Sequence, residues 1–120
     1  MKEDNIIVDK SKAFALRIIK LSDYLISKRL FSFADQVFRS GTSIGANVRE
    51  ATEAQGKKDF TAKMYIALKE AVETEYWLEL LYESGKIEKA AYESIVEDCR
   101  ELIRILTSIT KTAKQSAAAK

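Results

Sequence analysis

The side chains best placed for acid–base chemistry are two carboxylates, Glu70 and Glu73, which are three residues apart. On a helix this spacing puts both on one face, one turn apart. Such a pair could supply a general acid and a general base if burial shifted one pKa. Because neither a nucleophile nor a phosphate-binding loop accompanies the pair, we favour a structural ion-pair network. The cations that could complete this network are Arg39, Arg49, Lys63 and Lys69.

Other catalytic chemistry has little support in the sequence. There is no histidine, which is the commonest general base and the commonest metal ligand. The single cysteine, Cys99, excludes an internal disulfide or a cysteine metal cluster, and its apolar neighbourhood predicts a small core residue. We therefore expect no enzymatic activity, no cofactor and no metal site.

Two kinds of side chain could contact nucleic acid. The aromatic pair Tyr76 and Trp77 could stack on bases, although helical spacing favours a core or interface role. Clustered lysines and arginines could contact phosphates, and the alternative for each is a solvated charge or an intersubunit ion pair. The candidate nucleic-acid contacts are Arg17, Lys20, Arg39, Arg49, Lys57, Lys58, Lys63, Arg100 and Arg104.

The net charge of +2 does not by itself predict a binding partner, but the charges are unevenly distributed along the chain. Residues 1–31 carry seven Lys/Arg against four Asp/Glu, and residues 85–120 carry seven against five. If these two segments lie side by side, we expect them to form a basic face.

The elements that must position these residues are helices. The chain has 120 residues, no proline and only four glycines, which favours one domain of long helices. Apolar periodicity predicts helices over about 10–28, 33–54, 58–83 and 88–111, with Ser32 capping the second and Gly85 ending the third. Residues 112–120 lack an apolar stripe, so we expect them to fray. Short connections predict an all-α, antiparallel up-down-up-down four-helix bundle.

The stretch "RSGTSIGANVREA" is unusual because it places two glycines, Gly41 and Gly45, inside the second helix. Each glycine costs about 1 kcal/mol there relative to alanine, so a packing gain should offset it. One interpretation is close packing within the chain, and the other adds contact with a second subunit.

The start of the chain, "MKEDN", carries acids where a signal peptide needs a basic start, and no apolar run reaches the length of a membrane span. With one thiol, the sequence favours the cytoplasm and no membrane association.

Two motifs carry a resemblance to a known family. The segments "FRSGTSIGANVREA" (38–51) and "KKDFTAKMYIALKEAVETEYWLELL" (57–81) closely resemble the family called four helix bundle protein. The family is also called the 23S rRNA intervening-sequence protein family, since some members are encoded in inserts within bacterial large-subunit rRNA genes. The resemblance spans about residues 14–106.

The resemblance implies a left-handed antiparallel four-helix bundle and a homopentameric ring. It carries no established activity. The structural or interface residues expected from the motifs and the small-residue face are Gly41, Ser43, Gly45, Asn47, Glu50, Lys69, Glu70, Glu73, Tyr76 and Trp77. The chain is also distantly similar to accessory proteins of diversity-generating retroelements, which are basic pentameric rings that bind a reverse transcriptase and nucleic acid.

These observations lead to one principal hypothesis, a non-enzymatic homo-oligomeric scaffold that binds structured RNA or an RNA-associated protein. One alternative is a protein–protein interaction module without nucleic-acid binding. Another is a reverse-transcriptase accessory protein of a retroelement.

Overall fold

The computed structural model describes the backbone of residues 2–118 and the side chains of residues 5–116. It contains four α-helices: α1 (Lys2–Ser27), α2 (Phe31–Thr52), α3 (Lys57–Glu83) and α4 (Lys89–Ala118). No strand occurs within residues 2–118. The helices pack lengthwise into a rod about 51 Å long, which confirms the predicted all-α four-helix bundle.

Two helices are longer than the periodicity predicted. Helix α1 begins at Lys2 and not near residue 10, because Ile7 is fully buried and extends the apolar stripe by two turns. Helix α4 continues to Ala118, beyond the predicted end at residue 111, and fraying of residues 112–120 remains a prediction. Buried Ile109 and Thr110 anchor its last part to the core. Residues 119 and 120 lie outside the described residues.

The helix ends are set by backbone geometry more than by side-chain caps. Ser32 is not the cap of α2, which begins at Phe31 after Leu30 without a side-chain cap bond. Arg29 has a φ of 61°, and this left-handed conformation ends α1 and turns the chain into α2. Gly85, with a φ of 76°, ends α3 as predicted, and the next amide, that of Lys86, donates to the Leu81 carbonyl at 2.8 Å.

Contacts between neighbouring helices pair residues in opposite chain order. On α1 and α2, Ser11 faces Gly45 and Ile18 faces Gly41. Between α2 and α3, the earlier residue of α2, Ser40, meets the later residue of α3, Thr74. The later residue of α2, Glu50, pairs with the earlier residue of α3, Lys63. Each of these helix pairs is therefore antiparallel.

Helix α4 closes the bundle in the same way. The Cys99 thiol donates to the Ala71 carbonyl, which joins α4 to α3. Lys10 and Arg17 of α1 pair with Glu101 and Asp98 of α4, again in opposite order. The backbones of α1 and α3 do not approach each other closely over the described residues, so these helices occupy diagonal corners. The left-handed twist remains a prediction.

Candidate nucleic-acid interface

The small residues of α2 serve close packing within the chain. A β-carbon on Gly41 would lie 2.6 Å from Cγ1 of Ile18, whereas one on Gly45 would lie 3.4 Å from the Ser11 carbonyl oxygen. Ser43 donates to the Arg39 carbonyl at 2.6 Å. Helix α1 therefore occupies the face that the glycines leave open, and contact with a second subunit remains a prediction.

The other predicted polar residues of α2 also bond locally. The side-chain amide of Asn47 donates to the Ser43 carbonyl at 2.8 Å, within the same helix. Glu50 forms an ion pair with Lys63 of α3 at 3.1 Å. Both are consistent with structural roles near the α2–α3 groove.

The predicted carboxylate pair forms an ion-paired cluster with Arg39. The guanidinium of Arg39 lies 3.2 Å from a carboxylate oxygen of Glu70 and also donates to Glu73. The indole N–H of Trp77 donates to the same Glu73 oxygen at 2.9 Å. Since Arg39 bridges both carboxylates, the geometry supports the structural network and gives no acid–base pair open to substrate. Lys69, the other cation nearby on α3, is exposed and lies outside this cluster.

The aromatic pair lies beside this acidic cluster. The rings of Tyr76 and Trp77 are 5.4 Å apart and tilted by 56°. Trp77 is partly buried, while Tyr76 is 54% exposed. Because Glu73 accepts from the Trp77 indole, a nucleic-acid phosphate here would meet a carboxylate. The position favours the core or interface interpretation over base stacking.

The expected basic face of α1 and α4 is largely neutralised. The two helices do lie side by side, but Arg17 binds Asp98 at 2.7 Å. The two arginines of α4 are also paired, Arg100 with Glu75 at 2.8 Å and Arg104 with Glu97 at 3.2 Å. Its hydrogen bond to Glu75 raises the pKa of Arg100 further. Acids on neighbouring helices therefore offset Arg17 and Arg100, and Glu97 of the same helix offsets Arg104. Lys20 is exposed on α1.

Charge is instead segregated along the length of the bundle. We call residues 5–14, 42–70 and 102–116 the basic half, because antiparallel packing gathers them at one end. They carry ten Lys/Arg against five Asp/Glu. The remaining described residues, 15–41 and 71–101, form the acidic half, with eight against eleven. Positive potential should therefore be concentrated around the basic half.

The basic half contains a groove between the start of α3 and the end of α4. Its volume is about 600 Å³, and three lysines line it, namely Lys57, Lys58 and Lys114. Tyr65, which is 53% exposed, and Thr110 also line it. None of its lining residues carries a carboxylate. The sequence-based candidates included Lys57 and Lys58 but missed Tyr65 and Lys114, because the chain separates them and only the α3–α4 packing joins them.

A second, smaller groove lies between α1 and α2 in the same half. It has a volume of about 280 Å³ and is lined by small residues, including Gly45 and Ala46, together with Lys12 and Arg49. Arg49 thus lies near the basic end, as a phosphate contact would require, and not in the carboxylate cluster with Arg39.

Exposed apolar side chains show the opposite distribution. Eight of the ten large hydrophobic residues that are exposed among the described side chains belong to the acidic half. Leu16, Ile19 and Ile26 share one face of α1, while Val72 and Tyr76 lie on α3 at the diagonal corner. Clustered apolar residues on a surface mark candidate protein contacts.

The single cysteine is shielded from solvent. Cys99 is fully buried, and burial, with a smaller contribution from Glu75, raises the pKa of its thiol to about 12. A thiol held protonated in this way is a poor nucleophile. No cluster of potential metal ligands occurs among the described residues. Within that same part of the chain, none of the helices is apolar enough over sufficient length to cross a membrane.

Comparison with known proteins gives two findings. The family described as "23S rRNA-intervening sequence protein" matches residues 3–108. The fold is similar to the crystal structure of a protein of unknown function from the S23 ribosomal protein family of Bacteroides thetaiotaomicron. That structure is 51% identical, covers 91% of this chain and 98% of its own, and has a TM-score of 0.88. No curated protein is significantly similar in sequence.

Proposed function

Because the chain belongs to the family of 23S rRNA-intervening sequence proteins, we propose that it is a non-enzymatic, homo-oligomeric scaffold that binds structured RNA through its basic half. The observation that carries this proposal is the separation of charge, with ten Lys/Arg against five Asp/Glu in the basic half. Phosphate contacts require clustered cations and no particular fold. The basic half supplies them as a net excess of cations, although Lys10, Lys63 and Arg104 form ion pairs with carboxylates.

Assembly would strengthen this weak attraction. One chain carries a net charge of only +2, but identical copies in one ring add their charges. Electrostatic attraction reaches over about 10 Å at 0.1 M salt, so adjacent basic halves would act together on one RNA. Several weak sites on one particle also raise the overall affinity through effective concentration.

The apolar residues of the acidic half support assembly. The exposed stripe on α1 and the apolar residues of α3 lie on diagonal corners of the bundle. Two different surfaces on opposite sides of a chain can join copies head to tail, and such contacts close into rings. We propose five copies per ring, as the family resemblance implies, with the acidic halves in contact and the basic halves free for RNA.

Catalysis has no part in this proposal. The paired carboxylates Glu70 and Glu73 are held by Arg39, and the only thiol is buried. The free thiol of Cys99 is compatible with a reducing compartment, and we propose the cytoplasm.

The test is RNA binding across a salt series, with the assembly mass measured in the same samples. A fluorescent RNA hairpin would be titrated with purified protein from 50 to 300 mM KCl and followed by anisotropy. We expect affinity to fall linearly on a log–log plot, with a slope of about −0.7 to −0.9 for each phosphate contact. Absence of binding at the lowest salt would overturn the proposal.

A matched pair of variants locates the contact. Arg49→Glu with Lys58→Glu reverses two charges in the basic half, whereas Lys20→Glu with Lys86→Glu makes the same change in the acidic half. We expect only the first variant to lose affinity at low salt. Equal losses would mean that net charge, and not the basic half, determines binding.

A second candidate is a protein-interaction module without nucleic-acid binding. The exposed apolar residues Leu16, Ile19 and Ile26 favour it, since these could contact another protein as readily as a second copy. Such binding would depend little on salt and would survive the basic-half reversals. The same salt series therefore separates the two candidates.

A further inference from the structure

The groove between α3 and α4 combines an exposed aromatic ring with lysine side chains. Tyr65 is the large aromatic residue in it, and it lies about two turns beyond Lys58 on the same helix. Lys114 of α4 lines the same groove, together with Thr110. Neither Lys58 nor Lys114 forms an ion pair with another residue whose side chain the structure describes. The groove therefore combines one exposed ring with cations from two helices.

The chemistry of the lining selects a planar, anionic occupant. The floor is largely apolar, with Ala62 and the ring of Tyr65, while the charged groups are lysines and no lining residue is acidic. A volume of about 600 Å³ is within the range of sites that enclose small organic groups. A nucleotide has a flat base for the ring and a phosphate for the ammonium groups.

Comparison with Tyr76 shows why Tyr65 is the better stacking residue. The two tyrosines are almost equally exposed, at 53% and 54%. Tyr76 packs against Trp77, whose indole is bound to the Glu73 carboxylate. Tyr65 has lysines as its neighbours in the groove, so a phosphate beside it would be attracted and not repelled.

We propose that this groove holds an unpaired nucleotide of an RNA strand, with its base stacked on Tyr65 and its phosphates beside Lys58 and Lys114. The inference rests on the proposed RNA-binding function and narrows it to single-stranded or looped RNA. A base within a duplex has both faces covered and cannot stack on the ring. The basic half as a whole attracts RNA of any shape, while the groove distinguishes unpaired from paired RNA.

The test compares a 12-nucleotide oligouridine with a 12-base-pair RNA duplex, both fluorescently labelled, at one low salt concentration. Tyr65→Ala should weaken oligouridine binding by about 5- to 100-fold and leave duplex binding unchanged. Tyr65→Phe keeps an aromatic ring and should bind as the unaltered protein does. Tyr76→Ala is the matched control, since it removes an equally exposed tyrosine from the acidic half.

Lys114→Ala tests the phosphate contact. It should make the salt dependence of oligouridine binding shallower by about one phosphate contact. Melting temperatures of all variants would be compared, and because Tyr65 is more than half exposed we expect them to agree.

The outcomes separate this inference from the proposed function. If the unaltered protein binds neither RNA, both are overturned. Suppose it binds both RNAs, and Tyr65→Ala lowers the two affinities equally or not at all. The groove then does not bind unpaired bases selectively, while RNA binding by the basic half stands. If oligoglutamate of equal charge displaces oligouridine as well as unlabelled oligouridine does, the groove is a general anion site and the inference is wrong.

Discussion

Gly41 of α2 lies so close to Ile18 of α1 that a single added carbon would collide with it. A β-carbon at Gly41 would be 2.6 Å from Cγ1 and 2.8 Å from Cγ2 of Ile18. Ile18 is fully buried and β-branched, so its side chain cannot rotate away freely. The glycine therefore sets the separation of α1 and α2 at this point.

This contact predicts opposite effects at the two helical glycines. Gly41→Ala should lower the free energy of unfolding by about 1–3 kcal/mol, because overpacking outweighs the helix-propensity gain of about 1 kcal/mol. Gly45→Ala is the control. Its β-carbon would be 3.4 Å from the nearest atom, at the edge of ordinary contact, so stability should stay the same or rise by up to about 1 kcal/mol. Denaturant unfolding measures both.

A third variant checks the cause. Ile18→Ala removes the colliding atoms, so Gly41→Ala should cost less in that background than in the native one. Additive effects of the two substitutions would show that the collision does not occur. Gly41→Leu should be more severe and break the bundle or its assembly.

The buried hydroxyls of Ser40 and Thr74 give the second prediction. They are 2.8 Å apart and fully buried between α2 and α3, and Thr74 also lies 2.8 Å from the Glu70 carbonyl. Thr74→Val keeps the shape but leaves Ser40 without its partner, which should cost about 1–3 kcal/mol of unfolding free energy. Adding Ser40→Ala should recover part of this loss. A double variant less stable than the sum of the singles would contradict the pairing.

The third prediction concerns the coupling of Arg39 to Glu73. Arg39 is about half exposed, so water and salt weaken the pair. A double-mutant cycle with Arg39→Met and Glu73→Gln should give a coupling of about 0.5–1 kcal/mol that decreases at 1 M salt. The Lys89–Glu93 pair, which is more exposed, is the control and should give less. Equal couplings in the two cycles would mean that the cluster adds no stability.

The sequence predicted the interior of this bundle well, and physical reasons limit the rest. Apolar periodicity located Val37, Ile44 and Val48 in the core because each helix must bury one stripe. It missed the first two turns of α1, where the short apolar run Ile6, Ile7 and Val8 follows a polar stretch and only Ile7 is fully buried. Three consecutive apolar residues show no helical period, so the pattern did not extend a helix that tertiary packing stabilises.

The candidate site was harder to predict than the core. Residue type and helical spacing predicted an ion-pair network around Glu70 and Glu73 but left four candidate cations, and only the packing of α2 against α3 selects Arg39. The largely neutral α1–α4 face was not predicted, since Arg17 meets Asp98 of α4 and Arg100 meets Glu75 of α3. The groove with Tyr65 and Lys114 also depends on the register of α3 against α4. Side-chain pairs between helices are fixed by that register, which periodicity within one helix does not contain.

The fourth prediction uses the buried thiol of Cys99 to detect transient unfolding of the bundle. Its thiol is fully buried, it donates to the Ala71 carbonyl, and burial raises its pKa to about 12. A thiol reagent at pH 8 should therefore label the native protein at least ~100-fold more slowly than the unfolded chain. Labelling at similar rates would place the thiol at the surface.

The raised pKa of the Cys99 thiol also predicts that the stability of the fold depends on pH. In the unfolded chain the thiol ionises near its ordinary pKa of 9.0, whereas in the folded protein it stays protonated up to about 12. Ionisation then favours the unfolded state, so this contribution to stability is complete below pH 9 and decreases as the pH rises toward 12. Cys99→Ala should remove that part of the decrease. An unchanged alkaline slope in this variant would contradict the burial of the thiol.

The last prediction tests whether assembly uses two different surfaces. Leu16 on α1 is 56% exposed and Val72 on α3 is 50% exposed, at diagonal corners of the acidic half. In a head-to-tail ring each contact needs both surfaces, so Leu16→Glu or Val72→Glu alone should give monomers by light scattering. The mixed variants should then form dimers and nothing larger, because each chain keeps one intact surface and the two intact surfaces are complementary. Ile66→Glu, in the basic half, is the control and should keep the assembly mass. If only one of the two substitutions disrupts assembly, the interface is self-complementary and the head-to-tail ring is excluded.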